Sequence, residues 1–130
     1  MDAGYLKLMA VGYLFTIAIE GAVLLVCLSR RHPIKTRLFA GIWLTACTYP
    51  ILWLVLPQFI DPTDQRPLYL AVGETFVPIA ECLLFWLAFI RGKPEDRNAT
   101  VRDCTVIVLA NLLSFFLGEA FSRSVGWGWL

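Results

Sequence analysis

Apolar residues run almost unbroken through four stretches of the chain, residues 8–28, 38–60, 68–90 and 101–122, with short polar intervals between them. Each stretch is close to the ~20 residues that cross a hydrocarbon core. In lipid the backbone polar groups must be satisfied within the segment, so each stretch is expected to form a transmembrane helix. The intervals are too short to fold independently. The reading is an all-α integral membrane protein, one four-helix transmembrane domain over residues 1–130.

Composition agrees. Hydrophobic residues make up 58% of the chain and charged residues 16%, against roughly 45–50% apolar content in soluble domains. The mean hydropathy is +0.69. The basic residues cluster in the first interval, "SRRHPIKTR", and the third, "RGKPEDRNATVRD", whereas the second, "DPTDQRP", carries Arg66 beside two aspartates. This asymmetry predicts intervals one and three on the cytoplasmic side of the plasma (bacterial inner) membrane and both termini outside. Trp127 and Trp129 in "GWGWL" then form one interfacial aromatic anchor, and Trp43 and Trp86 the other. The N-terminus lacks the basic start and cleavage site of a removable signal, so the first helix is expected to be retained. A net charge of +1 with no single basic patch argues against nucleic acid as a partner.

The halves of the chain can be laid over each other, about 4–60 on 65–125. "IAIEGAVLLV" (17–26) aligns with "PIAECLLFWL" (78–87), setting Glu20 over Glu81, and "LTACTYP" (44–50) aligns with "ANLLSFF" (110–116), setting Thr45 over Asn111 and Thr48 over Ser114. Shared Leu and Ala carry little weight; the matched carboxylate and the matched polar pair carry the reading. It implies two helical hairpins in the same orientation, a parallel repeat about an axis along the membrane normal.

Glu20 and Glu81 fall near the middle of their apolar stretches, and Thr45, Thr48, Tyr49, Asn111 and Ser114 reach the same depth. An ionised, unpaired carboxylate there costs roughly 2.5–3.5 kcal/mol on insertion scales. All Lys and Arg lie near helix ends, so the pair is expected to sit in a buried polar layer that favours its neutral form, with the hydroxyl and amide side chains as partners. Glu74, two turns before Glu81, occupies the same face closer to the outside. Glu119 has Arg123 one turn later as its expected neutraliser. Pro50 and Pro78 interrupt helices two and three, freeing the carbonyls of Ala46 and Glu74.

Ala110, Ser114, Gly118 and Ser122 recur every fourth residue on the fourth helix, a small-residue ladder that admits a neighbouring backbone within one chain or between chains. The four cysteines show neither disulfide nor zinc spacing, and a soft-metal pair of Cys47 with Cys82 is weaker than their reading as small hydrophobes. No metal and no cofactor is expected. The helices lack axial histidines for haem, and the single histidine, His32, reads as a member of a basic loop. Enzyme signatures such as a nucleophile elbow or a phosphate-binding glycine loop are missing, so a non-enzyme is expected. The sequon at Asn98 falls on the cytoplasmic side.

Two functions follow. Glu20, Glu81 and Glu74 could bind protons or cations in a small transporter or channel subunit, which four helices would complete as a homo-oligomer. Alternatively, the carboxylates are structural glue in a non-catalytic accessory or scaffold subunit of a larger membrane complex. In either case the lipid bilayer is the first partner.

Overall fold

The computed structural model describes residues 3–124; the proposed Trp127 and Trp129 anchor lies outside them. The described chain is helical throughout its four long elements. Helix α1 spans Ala3–Cys27. Helix α2 spans Ile34–Pro50 and continues through a wider π stretch, Ile51–Val55, and a short 3-10 turn, Leu56–Gln58. Helix α3 spans Arg66–Phe85 with a π extension, Trp86–Ile90. Helix α4 spans Arg97–Ser124. All four are long and apolar enough to cross a membrane.

The helices begin two to five residues before the expected apolar runs, for a physical reason. The apolar run marks what lies in hydrocarbon, while the helix goes on into flanking residues such as Lys35, Arg37 and Arg66 that can reach water. Proline sets several of the boundaries. Pro33 precedes α2 with an extended ψ of 158°, and Pro67 occupies the first turn of α3, where its missing N–H costs nothing. Pro50 sits where the α-helical part of α2 gives way to the π stretch, consistent with the hydrogen bond it cannot donate.

Helix α1 packs against α2 and α4, and α3 packs against the same two, so the helices follow one another around a four-membered ring. Helices α1 and α2 cross in close contact. A methyl group added at Gly41 would lie 2.7 Å from the Cα of Gly21, so the two backbones nearly touch there. The small-residue ladder of α4 also faces inward: Ala110, Ser114 and Ser122 are buried, and a methyl added at Gly118 would meet Phe15 of α1. The ladder therefore packs within the chain, which the sequence had left open. Large apolar side chains on the outer faces, among them Leu14, Val26, Phe39, Ile79 and Phe116, are exposed, as a lipid-facing surface requires.

Candidate functional site

Two layers one helical turn apart organise the interior. On each helix a polar residue stands four positions from a buried apolar one: Glu20 and Leu24, Thr48 and Leu44, Glu81 and Phe85, Asn111 and Ile107. Because positions i and i+4 lie one above the other on a helix face, the four polar residues form one level and the four apolar residues the next. The apolar level belongs to a continuous core with Leu28, Ala40, Ile90, Val106 and Ala110, which fills the bundle toward the 28–33 and 91–96 loops. The polar level lies on the side away from that plug.

Glu20 and Glu81 are only 3% and 2% exposed. The Glu20 carboxyl meets Thr45 Oγ1 at 2.9 Å and Ser114 Oγ at 2.8 Å, one on each of its oxygens. The Glu81 carboxyl meets Thr48 Oγ1 at 2.7 Å and accepts from Asn111 Nδ2, also at 2.7 Å. Four of the five expected partner residues thus converge on the two carboxyls through four contacts. Tyr49, grouped with them by depth, gives neither carboxyl a hydrogen bond. Its ring packs between Tyr13 and Trp53, at centroid distances of 5.4 and 5.6 Å.

The hydroxyls in this layer have a choice of acceptor. Thr45 Oγ1 lies 3.0 Å from the Gly41 carbonyl, Thr48 Oγ1 lies 3.1 Å from the Leu44 carbonyl, and Ser114 Oγ lies 3.0 Å from the Asn111 carbonyl. A hydroxyl carries one hydrogen and can also accept. When a carboxylate is ionised, the hydroxyl donates to it; when the carboxyl is protonated, the hydroxyl turns its hydrogen to the backbone carbonyl and accepts the carboxyl proton. Asn111 has two N–H bonds and satisfies Glu81 and the Ile107 carbonyl together. In both protonation states every oxygen of both carboxyls therefore has a hydrogen-bond partner, and neither state incurs the cost of a buried unsatisfied group.

A cavity of about 160 Å³ reaches this layer from the opposite end of the bundle to the apolar plug. Glu20 and Glu81 border it, and Glu74, Glu119 and Arg66 line it further out. Among the described residues, Glu74 takes no hydrogen bond. Glu119 is paired with Arg66 of α3, which corrects the expected pairing with Arg123: one turn along a helix is near in sequence, but Arg66 stands across the cavity mouth from Glu119. Aromatic rings form the walls, with Phe15 stacked on Phe121 at 5.3 Å on one side and Tyr49 stacked on Trp53 on another. The Tyr69 and Tyr5 hydroxyls donate to the carbonyls of Leu52 and Trp53 at 2.6 Å, tying α3 and α1 to the π stretch of α2.

A second polar cluster, which the sequence reading missed, seals the far end. Asp103 of α4 is fully buried and accepts from Ser29 N at 2.7 Å, Ser29 Oγ at 3.0 Å and Arg31 at 3.3 Å, and bonds His32 Nε2 at 2.8 Å. Lys93 Nζ stands 3.4 Å from His32 Nδ1. An ammonium only donates, so Nδ1 accepts and the imidazole proton resides on Nε2, pointing at Asp103. Burial holds the His32 imidazole below its ordinary pKa, with the Asp103 carboxylate partly opposing. Arg37 and Arg102 donate to the last carbonyls of α1, at Leu25 and Cys27, as cations do at helix C-termini. His32, read from the sequence as a member of the basic loop, is thus a buried structural member of this cluster.

Among the described residues no three His, Cys, Asp or Glu side chains converge as a metal would require. Cys82 approaches the Cys104 carbonyl at 3.6 Å, and all four cysteines are free. No family model, curated protein or solved structure matches the chain.

Proposed function

We propose that the chain is a membrane protein whose Glu20 and Glu81 carboxyls take up and release protons or exchange them for a cation through the cavity that opens beside Glu74, as a transporter or channel subunit would. The observation that carries this reading is the dual partnering of Thr45, Thr48 and Ser114. A carboxyl held only as glue needs one satisfied state, whereas one that changes protonation needs two. Intramembrane carboxylates are functional candidates on general grounds, and these two border a cavity that the apolar plug closes on the other side.

The hydrogen-bond pattern also supports the parallel repeat. Glu20 pairs with Thr45 of its own hairpin and Ser114 of the other; Glu81 pairs with Asn111 of its own hairpin and Thr48 of the other. Exchanging the halves by the sequence alignment maps each pair onto the other. The basic loops favour the 28–33 and 91–96 segments on the cytoplasmic side, with the cavity then facing outward.

The test is infrared difference spectroscopy of the protein in lipid as the bulk pH is stepped across neutrality. A protonated-carboxyl band that rises and falls with pH, and that Glu20→Gln and Glu81→Gln each diminish, is the expected result. Gln reproduces the donor and acceptor of the protonated group, so both variants keep the fold. A spectrum identical in the variants would overturn the proposal. A foreign chain held in fixed ratio by the gently extracted protein, seen by native mass spectrometry together with a silent carboxyl band, would instead favour the accessory-subunit reading.

A further inference from the structure

We infer that the cavity takes a small organic ammonium ion with an apolar body about the size of a benzene ring, bound in exchange for protons at Glu20 and Glu81. The inference rests on the carboxyl-site reading above and names its cargo. Four features of the cavity carry it.

The first is charge. Glu20, Glu74 and Glu81 line the cavity without an ion-pair partner among the described residues, and Arg66 is engaged by Glu119. A carboxylate ionised there calls for a cation that arrives with the ligand. The second is free acceptor capacity. Each oxygen of Glu20 and Glu81 meets one side-chain partner, and an ionised carboxylate offers about four acceptor sites in all, so N–H donors of an ammonium group have sites to occupy. The third is the wall. Phe15, Tyr49, Trp53 and Tyr69 surround the cavity above the carboxyls, which offers a cation aromatic rings and an apolar body a dry surface. The carboxyl and hydroxyl oxygens of the lining are open to an inorganic cation as well, but such a cation leaves the aromatic wall without an apolar body to contact. The fourth is size. At about 160 Å³ the space is close to the roughly 150 Å³ of an apolar cavity that accommodates benzene.

The exchange balances simply. The ammonium ion enters with its positive charge, Glu20 or Glu81 loses a proton to the water of the cavity mouth, and Thr45, Thr48 or Ser114 turns its hydrogen onto the carboxylate left behind. No covalent bond changes apart from those to the transferred proton.

Isothermal titration calorimetry of the full chain in lipid nanodiscs tests this, with benzylammonium as the probe, benzyl alcohol as its neutral counterpart, and sodium and potassium chloride in parallel. Saturable benzylammonium binding is expected, with proton release revealed by buffers of different ionisation enthalpy and at least about tenfold weakening in both Glu20→Gln and Glu81→Gln. Trp53→Leu, which leaves the carboxyls in place, is expected to weaken it by about three- to tenfold. Absence of saturable binding, equal binding of benzyl alcohol, or binding indifferent to both Gln variants would each overturn the inference. The infrared band keeps the two proposals separable. If the carboxyls titrate while benzylammonium fails to bind, or if sodium binds in its place, the cargo is wrong and the site reading stands; if the carboxyl band is silent, both fall.

Discussion

Thr48 shows how much one hydroxyl does in this layer. It stands 2.7 Å from Glu81 and 3.1 Å from the Leu44 carbonyl, and it is buried with both. Thr48→Val keeps the shape and removes the hydrogen bond, leaving one Glu81 oxygen unpartnered; Thr48→Ser keeps the bond. Buried unsatisfied groups cost about 1–3 kcal/mol, while hydrogen bonds between membrane helices average ~0.6 kcal/mol in one measured case. Thermal unfolding in detergent is therefore expected to show Thr48→Val destabilised by about 1 kcal/mol and Thr48→Ser by less, with the Val variant alone altering the Glu81 infrared band. Equal stability of the two would remove the hydroxyl from the account. At this scale the sequence was informative about the layer because a carboxylate in an apolar run is costly and so conspicuous, and because hydroxyl and amide side chains at the same depth are the partners within its reach. It misplaced Tyr49 because depth follows from counting residues, while rotation about the helix axis follows from packing. It passed over Asp103 because an acidic residue near a basic loop carries no such penalty until the fold buries it.

Elements bring constraints that single residues do not. At the α1–α2 crossing Gly41 has no room for a methyl group, since the atom it would meet at 2.7 Å is the Gly21 Cα, which is backbone and cannot swing away. Gly41→Ala is expected to cost about 1–3 kcal/mol as overpacking does elsewhere, read as a lower unfolding midpoint, whereas Gly21→Ala, whose added methyl meets nothing within 4 Å, is expected to be tolerated. The loop joining α1 to α2 depends on pH. His32 is buried neutral against Asp103, and its pKa lies below the ordinary ~6.5 because burial disfavours the imidazolium. The unfolded loop then binds the proton more readily, so stability here is complete above about pH 6.5 and declines as pH falls through and below it. Hydrogen exchange at the Ser29 and His32 amides is expected to speed up on acidification beyond its intrinsic pH dependence, and His32→Gln to lose that excess. The four helices were legible from hydropathy. Their ends and the π stretches were not, because these depend on where cations cap carbonyls and how far a proline disturbs the ladder.

For the whole molecule, the decisive asymmetry is between its two ends. The cavity begins among Arg66, Tyr69 and Glu119 and stops at the polar layer; beyond it lie the apolar level of Leu24, Leu44, Phe85 and Ile107, then the Asp103 cluster. A site reached from one side alone gives the orientation of the bundle functional meaning. The basic residues argue that the 28–33 and 91–96 loops face the cytoplasm, and the cavity would then face away from it. Single cysteines placed at Thr63 and at Lys93, in a background with the four native cysteines replaced, test this with a membrane-impermeant maleimide. Thr63→Cys is expected to react in intact cells and Lys93→Cys only after permeabilisation. The reverse pattern would turn the cavity toward the cytoplasm, leave the chemistry of Glu20 and Glu81 untouched, and invert the direction in which an ammonium ion exchanged for protons is first captured. Labelling therefore fixes a vector that neither helix packing nor hydrogen bonding contains, since both are indifferent to which side of the bilayer holds the proton supply.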